Sequence, residues 1–464
     1  PQTGLSESGS GTLTVANGAT FNDQTTDSGL YIYTNNFGTD DDGSTAAVNN
    51  QGTFIKSGSA ATSTILAVFN NSGTVDVQSG ILDLSSGGTD VGATYKGVGT
   101  VQFSSGTRTL DATSSITTAN VVFSGGTTTV NGTYAASGST MSGGAATLAG
   151  AATTGVLVQS GGLLGGGGTL TVSGASTLSG GTQSGPGTTF ANGGAEFIST
   201  GFGLDGGRTL RLAGTSAATG SYVQLGLNSY NPQTGLSESG SGTLTVANGA
   251  TFNDQTTDSG LYIYTNNFGT DDDGSTAAVN NQGTFIKSGS AATSTILAVF
   301  NNSGTVDVQS GTLIFAGGLN NSATLRAEGG NIKVNAELTG GGSAIIGDNS
   351  QIEVGLAANQ RIAFAGVAGT LRLDTSSSFT GQISGLNADD FLDLADVSFG
   401  GTTTVGYSGN SAGGILTVSN GSQEVNVALT GNYLTTAFAT LSDGLGGTLI
   451  VNSDNALNRT AFLA

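Results

Sequence analysis

Carboxylates and tyrosines are the side chains with which this chain could do chemistry. Its 464 residues include no His, no Cys and no Trp. Ser-His-Asp and Cys-His catalysis are therefore excluded, as are the usual zinc sites. No Gly-Lys-Ser/Thr triplet is present, so there is no P-loop. The run LLGGGGTL, Leu163 to Leu170, carries little weight as a phosphate cradle in a chain with 80 glycines.

The densest acidic cluster is Asp40-Asp41-Asp42-Gly43, repeated as Asp271-Asp272-Asp273-Gly274. Such carboxylates are weak calcium candidates, since calcium takes about six to eight oxygen ligands. Consecutive residues cannot all face one ion without a special turn, and no distant Glu closes an EF-hand loop. A solvated Asp/Gly loop at a strand end is the favoured reading. Asp389, Asp390, Asp393 and Asp396 form a second group and read the same way, with Asp393 and Asp396 on a strand's outer face. Two carboxylates can suffice for glycoside hydrolysis. Neither acidic cluster has a Lys or Arg beside it, however, and no Trp supplies a sugar platform. The expectation is a non-catalytic protein, with a polysaccharide-cleaving β-helix as the remote enzymatic alternative.

The segment LYIYTNNF, Leu30 to Phe37, offers binding rather than catalysis. In a strand with Leu30 and Ile32 inward, Tyr31 and Tyr33 share the outer face. Their copies are Tyr262 and Tyr264. Paired exposed tyrosines stack on sugars or dock another chain. The competing reading is ordinary stacking between neighbouring strands.

The elements that would hold these residues are repeats. Residues 1–80 and 232–311 are identical, after which the copies part as ILDLSSGG and TLIFAGGL. A shorter period lies inside. Asn-Asn pairs occur at Asn49-Asn50, Asn70-Asn71, Asn280-Asn281, Asn301-Asn302 and Asn320-Asn321, 21 or 19 residues apart within a block. Each precedes a short alternating run such as GTVDVQSG. Val75 and Val77 share one face of that run, and Thr74, Asp76 and Gln78 the other. A period near 20 residues with two or three short strands and no helix signal predicts an all-β fold: a β-solenoid, or parallel β-helix-like rod, with rungs of about 19–21 residues. Rungs stack at about 4.8 Å, so the whole chain could supply at most roughly 23, or about 110 Å. Gly suits the corners and Asn amides can ladder along the axis. Only 3 prolines occur, as strands paired on both sides require.

One run conflicts with this alternation. Aligning GTFIKSG on GTVDVQSG puts Lys56 at the inward position of Val77, and Lys287 repeats the problem. An unpaired buried Lys is costly. Either a bulge shifts the alternation or Ile55 lies outside.

The net charge is −20, with only 11 basic residues. This argues against nucleic acid and against an anionic membrane surface as partners. No apolar run is long enough to span a bilayer. No basic-plus-apolar signal stands at Pro1, so a targeting segment is expected outside this chain or removed.

FNNSGTVDVQSGTL, GTLTVSGASTLSGGTQSGPGTTF and GATYKGVGTVQF resemble the β-strand repeats of very large bacterial surface proteins, akin to autotransporter and two-partner-secreted adhesins. From Phe379 to Val451, FTGQISGLNADDFLDLADVSF, YSGNSAGGILTVSNGSQEVNVALTGNY and SDGLGGTLIV resemble a repeat common in such proteins. The resemblance covers most of the chain. It implies an extracellular, cell-surface structural protein that works in adhesion, surface coating, fibre formation or a biofilm matrix. NADDFLDLADV also resembles sequences flanking calcium-binding β-rolls, but the G-G-x-G-x-D run is missing.

The expected organisation is a first block (1–80), a Gly/Ser/Thr-rich solenoid segment (81–231), the second block (232–311), further rungs (312–378) and a C-terminal β-strand repeat (379–464). The expected partners are other copies, end to end, or other surface polymers, with glycans as an alternative. In such association, residues 446–452 would stack on or exchange a strand with the first rungs of the next chain.

Overall fold

The computed structural model describes residues 11–34, 46–198, 201–226, 229–231, 236–238, 241–265 and 277–452. The chain is a parallel-stacked β-solenoid of about 16 turns, with 56% of its residues in strands. No α-helix occurs among the described residues; one 3-10 turn spans Ser376–Ser378. The chain divides into two compact units, residues 1–211 with 240–242, and 212–239 with 243–464.

In the first unit a rung is three short strands separated by corners. Ala47–Asn50, Thr53–Lys56 and Thr62–Ile65 make one rung; Val68–Asn71, Thr74–Val77 and Ile81–Leu84 make the next. Each strand pairs in parallel with its counterpart: Val48 with Phe69, Phe54 with Val75, Ile65 with Leu84. Alternate side chains point inward, so like positions stack into columns. One runs Phe54, Val75, Tyr95, Ile116, Tyr134, all buried. Another runs Ile65, Leu84, Phe103, Phe123, Met141. Burying each such side chain is worth about 1.5–3 kcal/mol, and the columns are what a Val- and Leu-alternating sequence contributes to stability.

Corners of successive rungs meet closely. A Cβ on Gly73 would fall 2.1 Å from the Gly52 carbonyl oxygen, so this corner admits no side chain. Gly73 is thus required by close approach between rungs.

The second unit repeats the plan. Val279 pairs with Phe300 and Phe300 with Leu319, Phe285 with Val306 and Val306 with Leu325, and Ile296 with Phe315 and Phe315 with Val334. The parallel stack continues through Gln382–Ser384 and Phe391–Leu394. It then gives way to antiparallel strands: Thr404–Asn410 on Gly413–Ser419, which lies on Glu424–Thr430, and Phe438–Ser442 on Thr448–Asn452. Thr448–Asn452 also pairs antiparallel with Phe391–Leu394. Both edges of its Thr448–Ile450 part are therefore taken.

The count of turns falls below the 23 that a uniform period allows. The rungs that open each duplicated block are longer: Leu30 bonds Ser63, and Leu261 bonds Ser294, across 33 residues rather than 21. After residue 403 only Glu424–Thr430 among the described strands stays in the parallel stack, on Gln382–Ser384. Asp40, Asp41, Asp42, Asp271, Asp272 and Asp273 lie in the long intervals, outside the described residues.

Candidate functional site

Two kinds of arrangement stand out, an aromatic face outside and polar columns inside. The strand Tyr31–Ile32 turns its tyrosine outward as the alternation requires. Tyr31 is 60% exposed and Tyr33 61%. Their rings stack with centroids 5.8 Å apart. In the second unit the same pair, Tyr262 and Tyr264, stacks at 6.0 Å. There a third ring joins: Tyr222 lies 5.4 Å from Tyr262 and 4.6 Å from Tyr264. Tyr262 and Tyr264 are half-buried as a result. The sequence-predicted patch thus exists in two states, an open pair and a covered triplet. Burial, with Tyr222 and Tyr262 alongside, raises the Tyr264 pKa above its ordinary value.

The Asn-Asn pairs make two ladders on one strand end. Asn70 and Asn49 face outward, Asn70 Nδ2 donating to Asn49 Oδ1 at 3.0 Å. Asn50 and Asn71 point inward and are 1% exposed. Asn50 Nδ2 donates to Asn71 Oδ1 at 2.8 Å and to the Thr74 carbonyl at 2.9 Å. In the second unit the inner ladder is longer: Asn281 donates to Asn302, Asn302 to Asn321, and Asn321 to Gln360 Oε1, each at 2.8 Å. The outer amides line shallow polar grooves of about 250 and 270 Å3, one beside Asn49 and Asn70, the other beside Asn280 and Asn301.

Lys56 keeps the alternation, with no bulge: Ile55 pairs with Asp76 and Lys56 with Val77. Ile55 therefore faces outward and Lys56 is fully buried. Its compensation is Asp23, its register partner on the preceding strand. Asp23 accepts hydrogen bonds from Ser63 Oγ at 2.5 Å, Thr25 Oγ1 at 2.7 Å and Thr25 N at 3.1 Å. Burial works to raise the Asp23 pKa, but these bonds and the Lys56 charge prevail and hold it below its ordinary value. In the second copy Lys287 Nζ stands 3.9 Å from Asp254, which accepts the same bonds from Thr256 and Ser294. The partner was hard to see in sequence because a 33-residue interval separates Asp23 from Lys56.

A further buried cluster had not been anticipated. Asp90 follows Asn71 in the inner column. It accepts two bonds from Arg108 Nη1, at 2.9 and 3.0 Å, and one from Tyr95 Oη at 2.9 Å. The guanidinium also lies 5.7 Å from the Phe103 ring centre. It fits because Gly88 stands opposite in the register: a Cβ there would come within 3.0 Å of Arg108 Nη2. Burial raises the Asp90 pKa and works to discharge Arg108, whose pKa is nevertheless kept high by Tyr95 and Asp90. The signal was present in TRTL, where Arg108 alternates in phase with Leu110. Arg208 is also buried, donating to the Gly166 carbonyl and Thr189 Oγ1 at 3.1 and 2.8 Å. Burial brings its pKa down to about 10.

The C-terminal carboxylates serve local structure. Asp393 lies on the strand face opposite the inward Leu392 and Leu394, yet it is only 6% exposed and accepts from Arg372 Nη1 at 2.7 Å. Asp390 accepts from the Gly369 and Asn387 amides, and Asp396 from the Ser376 amide. The ion pair with Arg372 offsets the burial of Asp393 on that face. Among the described residues, no three His, Cys, Asp or Glu side chains are grouped to hold a metal ion. No helix among them is long and apolar enough to cross a membrane. No family model, curated protein or solved structure matches the chain.

Proposed function

We propose that this chain is a structural protein of the bacterial cell surface, a stalk or fibre element with an adhesive or matrix role. The observation that carries this reading is the repeated block. The same rung sequence builds the same strand registers and the same Asn ladders in each unit. Contacts between neighbouring rungs suffice to hold each one, so duplication adds length without redesigning a core. The buried ionic groups described above are engaged with one another and with backbone, which fits a scaffold rather than a catalyst. In this reading the chain has no enzymatic activity and needs no cofactor, and its partners are further solenoid chains or other surface polymers.

The test is to label intact cells with an antibody against the chain and image the native material by electron microscopy. Surface label on filaments or an extended coat is the expected result. Confinement of the chain to the cell interior would overturn the proposal.

A second reading, glycan binding, is favoured by the open ring pair Tyr31 and Tyr33. It predicts glycan-array signals that vanish in Tyr31→Ala/Tyr33→Ala and persist in Tyr262→Ala/Tyr264→Ala. An unchanged profile in the first variant would refute it.

A further inference from the structure

The second copy of the buried lysine stands as a nucleophile beside a carboxyl. Asp254 and Lys287 are register partners on neighbouring strands, Thr251–Asp254 and Thr284–Lys287. Both are 0% exposed, so water has no access to either group. Lys287 Nζ lies 3.9 Å from Asp254 Oδ2 and has no hydrogen-bond partner. The next residues along the column are apolar and buried, Ala218 on the Asp254 side and Val308 on the Lys287 side. In the first copy the amine is engaged differently: Lys56 Nζ donates to the Ser59 carbonyl at 3.4 Å.

The carboxyl is held by donors on both oxygens. Oδ1 accepts from Thr256 N at 3.2 Å and from Thr256 Oγ1 at 2.7 Å. Two such donors stabilise negative charge that develops on Oδ1 when a nucleophile adds to the carboxyl carbon. Oδ2 accepts from Ser294 Oγ at 2.5 Å, and that hydroxyl can pass a proton to Oδ2 as it leaves. The paired strands fix both reactants in place. Only a short approach along the flexible lysine stem separates the amine from a near-attack distance of about 3–3.5 Å. Burial narrows the gap between the ion pair and the neutral acid–amine pair. The neutral pair holds the same protons and is the form that reacts.

We infer that Lys287 and Asp254 are a self-modification site, condensing to an amide between their side chains. Nζ bonds to Cγ, the Cγ–Oδ2 bond breaks, and Oδ2 departs as water. Both hydrogens of that water come from the lysine ammonium, which goes from three hydrogens to one. No oxidant, reductant or cofactor is consumed. The ion pair is the prevailing form before closure and the neutral pair the minor one. Freshly folded chains therefore carry the charge pair, and the amide accumulates with time. Closure ties two successive rungs together across one of the long opening rungs, which the chain otherwise joins only through its own length. This concerns the covalent structure of the chain and goes beyond its reading as a surface element.

The test uses the full chain, folded from urea and sampled over weeks by mass spectrometry. The parent should lose the mass of one water per chain. A digest should then contain a branched fragment that joins the Asp254 and Lys287 segments. Because the two blocks share their sequence, the lysine in that branch is assigned in Lys56→Arg, which should close like the parent. Lys287→Arg should keep its full mass, and Ser294→Ala should close at least about tenfold more slowly. A parent chain that stays at full mass overturns the inference. So does a water loss that persists in Lys287→Arg, since it would come from an Asp cyclised on its own backbone. If Lys287→Arg does not fold, the digest of the parent decides: water loss without a branched fragment overturns the inference. None of these failures bears on surface location, which the microscopy reads separately.

Discussion

Lys287 Nζ stands 3.9 Å from Asp254 Oδ2 with neither side chain exposed, a charge pair inside a column otherwise filled by Val308, Ala327 and Ile346. Removing one member leaves the other charge buried, which typically costs about 3–5 kcal/mol. Lys287→Met should cost about 3 kcal/mol, at the low end because Ser294 and Thr256 still bond the carboxylate. The double variant Lys287→Met/Asp254→Leu should recover most of that loss. Urea midpoints of the two variants check this; an equal or greater loss in the double variant would show that the pair contributes net stability.

The two Asn ladders should differ in weight. Asn302 bonds Asn281, Asn321, the Thr324 carbonyl and the Gly304 amide from a buried position. Asn302→Ala should cost about 2–3 kcal/mol, since neighbouring buried amides lose their partners. Asn301 faces solvent, and Asn301→Ala should cost less than about 1 kcal/mol. Equal shifts in denaturation midpoint would refute the distinction.

Acid sensitivity has a definite sign. Hydrogen bonds from Ser114, Gly92 and Thr113 lower the Asp111 pKa from 3.8 to about 2. A depressed folded value stabilises the folded chain above the unfolded pKa and loses that contribution as pH falls through the folded one. Stability should therefore decline between pH 3.8 and about 2, and Asp111→Asn should flatten that limb of the melting-temperature profile. Asp23, also depressed, contributes in the same direction. A variant profile parallel to the parent's would contradict the assignment.

Calcium removal should leave the fold unaffected. Melting curves with and without chelator are expected to coincide, because among the described residues no three acidic side chains are grouped to hold a metal ion. A ligand bound only to the folded state raises the melting point, so a chelator-induced drop would implicate Asp40–Asp42 and Asp271–Asp273.

The solenoid was legible because period and alternation are local properties. GTVDVQ announces its two faces, and repeated Asn pairs announce the rung. Partners across long intervals were not legible. Lys56 looked anomalous until Asp23 appeared beside it, and the shelter of Asp393 was not apparent until Arg372 appeared. Both are set by stacking register: a long opening rung separates Asp23 from Lys56, whereas Arg372 and Asp393 stand 21 residues apart on neighbouring rungs. The antiparallel end was hidden for a related reason: its strands alternate like the others, and alternation does not encode pairing direction.

The inner Asn ladder also bears on chemical ageing. Asn71-Ser72 and Asn302-Ser303 are sequences in which a backbone nitrogen can attack the preceding carboxamide and release ammonia. Here the Ser72 and Ser303 amides each donate at 2.8 Å to the rung before, to the Asn50 and Asn281 carbonyls. The attacking nitrogens are thereby tied into bonds between rungs at the corners that follow the strands. Folding thus preserves the very amides that stack the rungs, and deamidation should mark the chains that have already come apart.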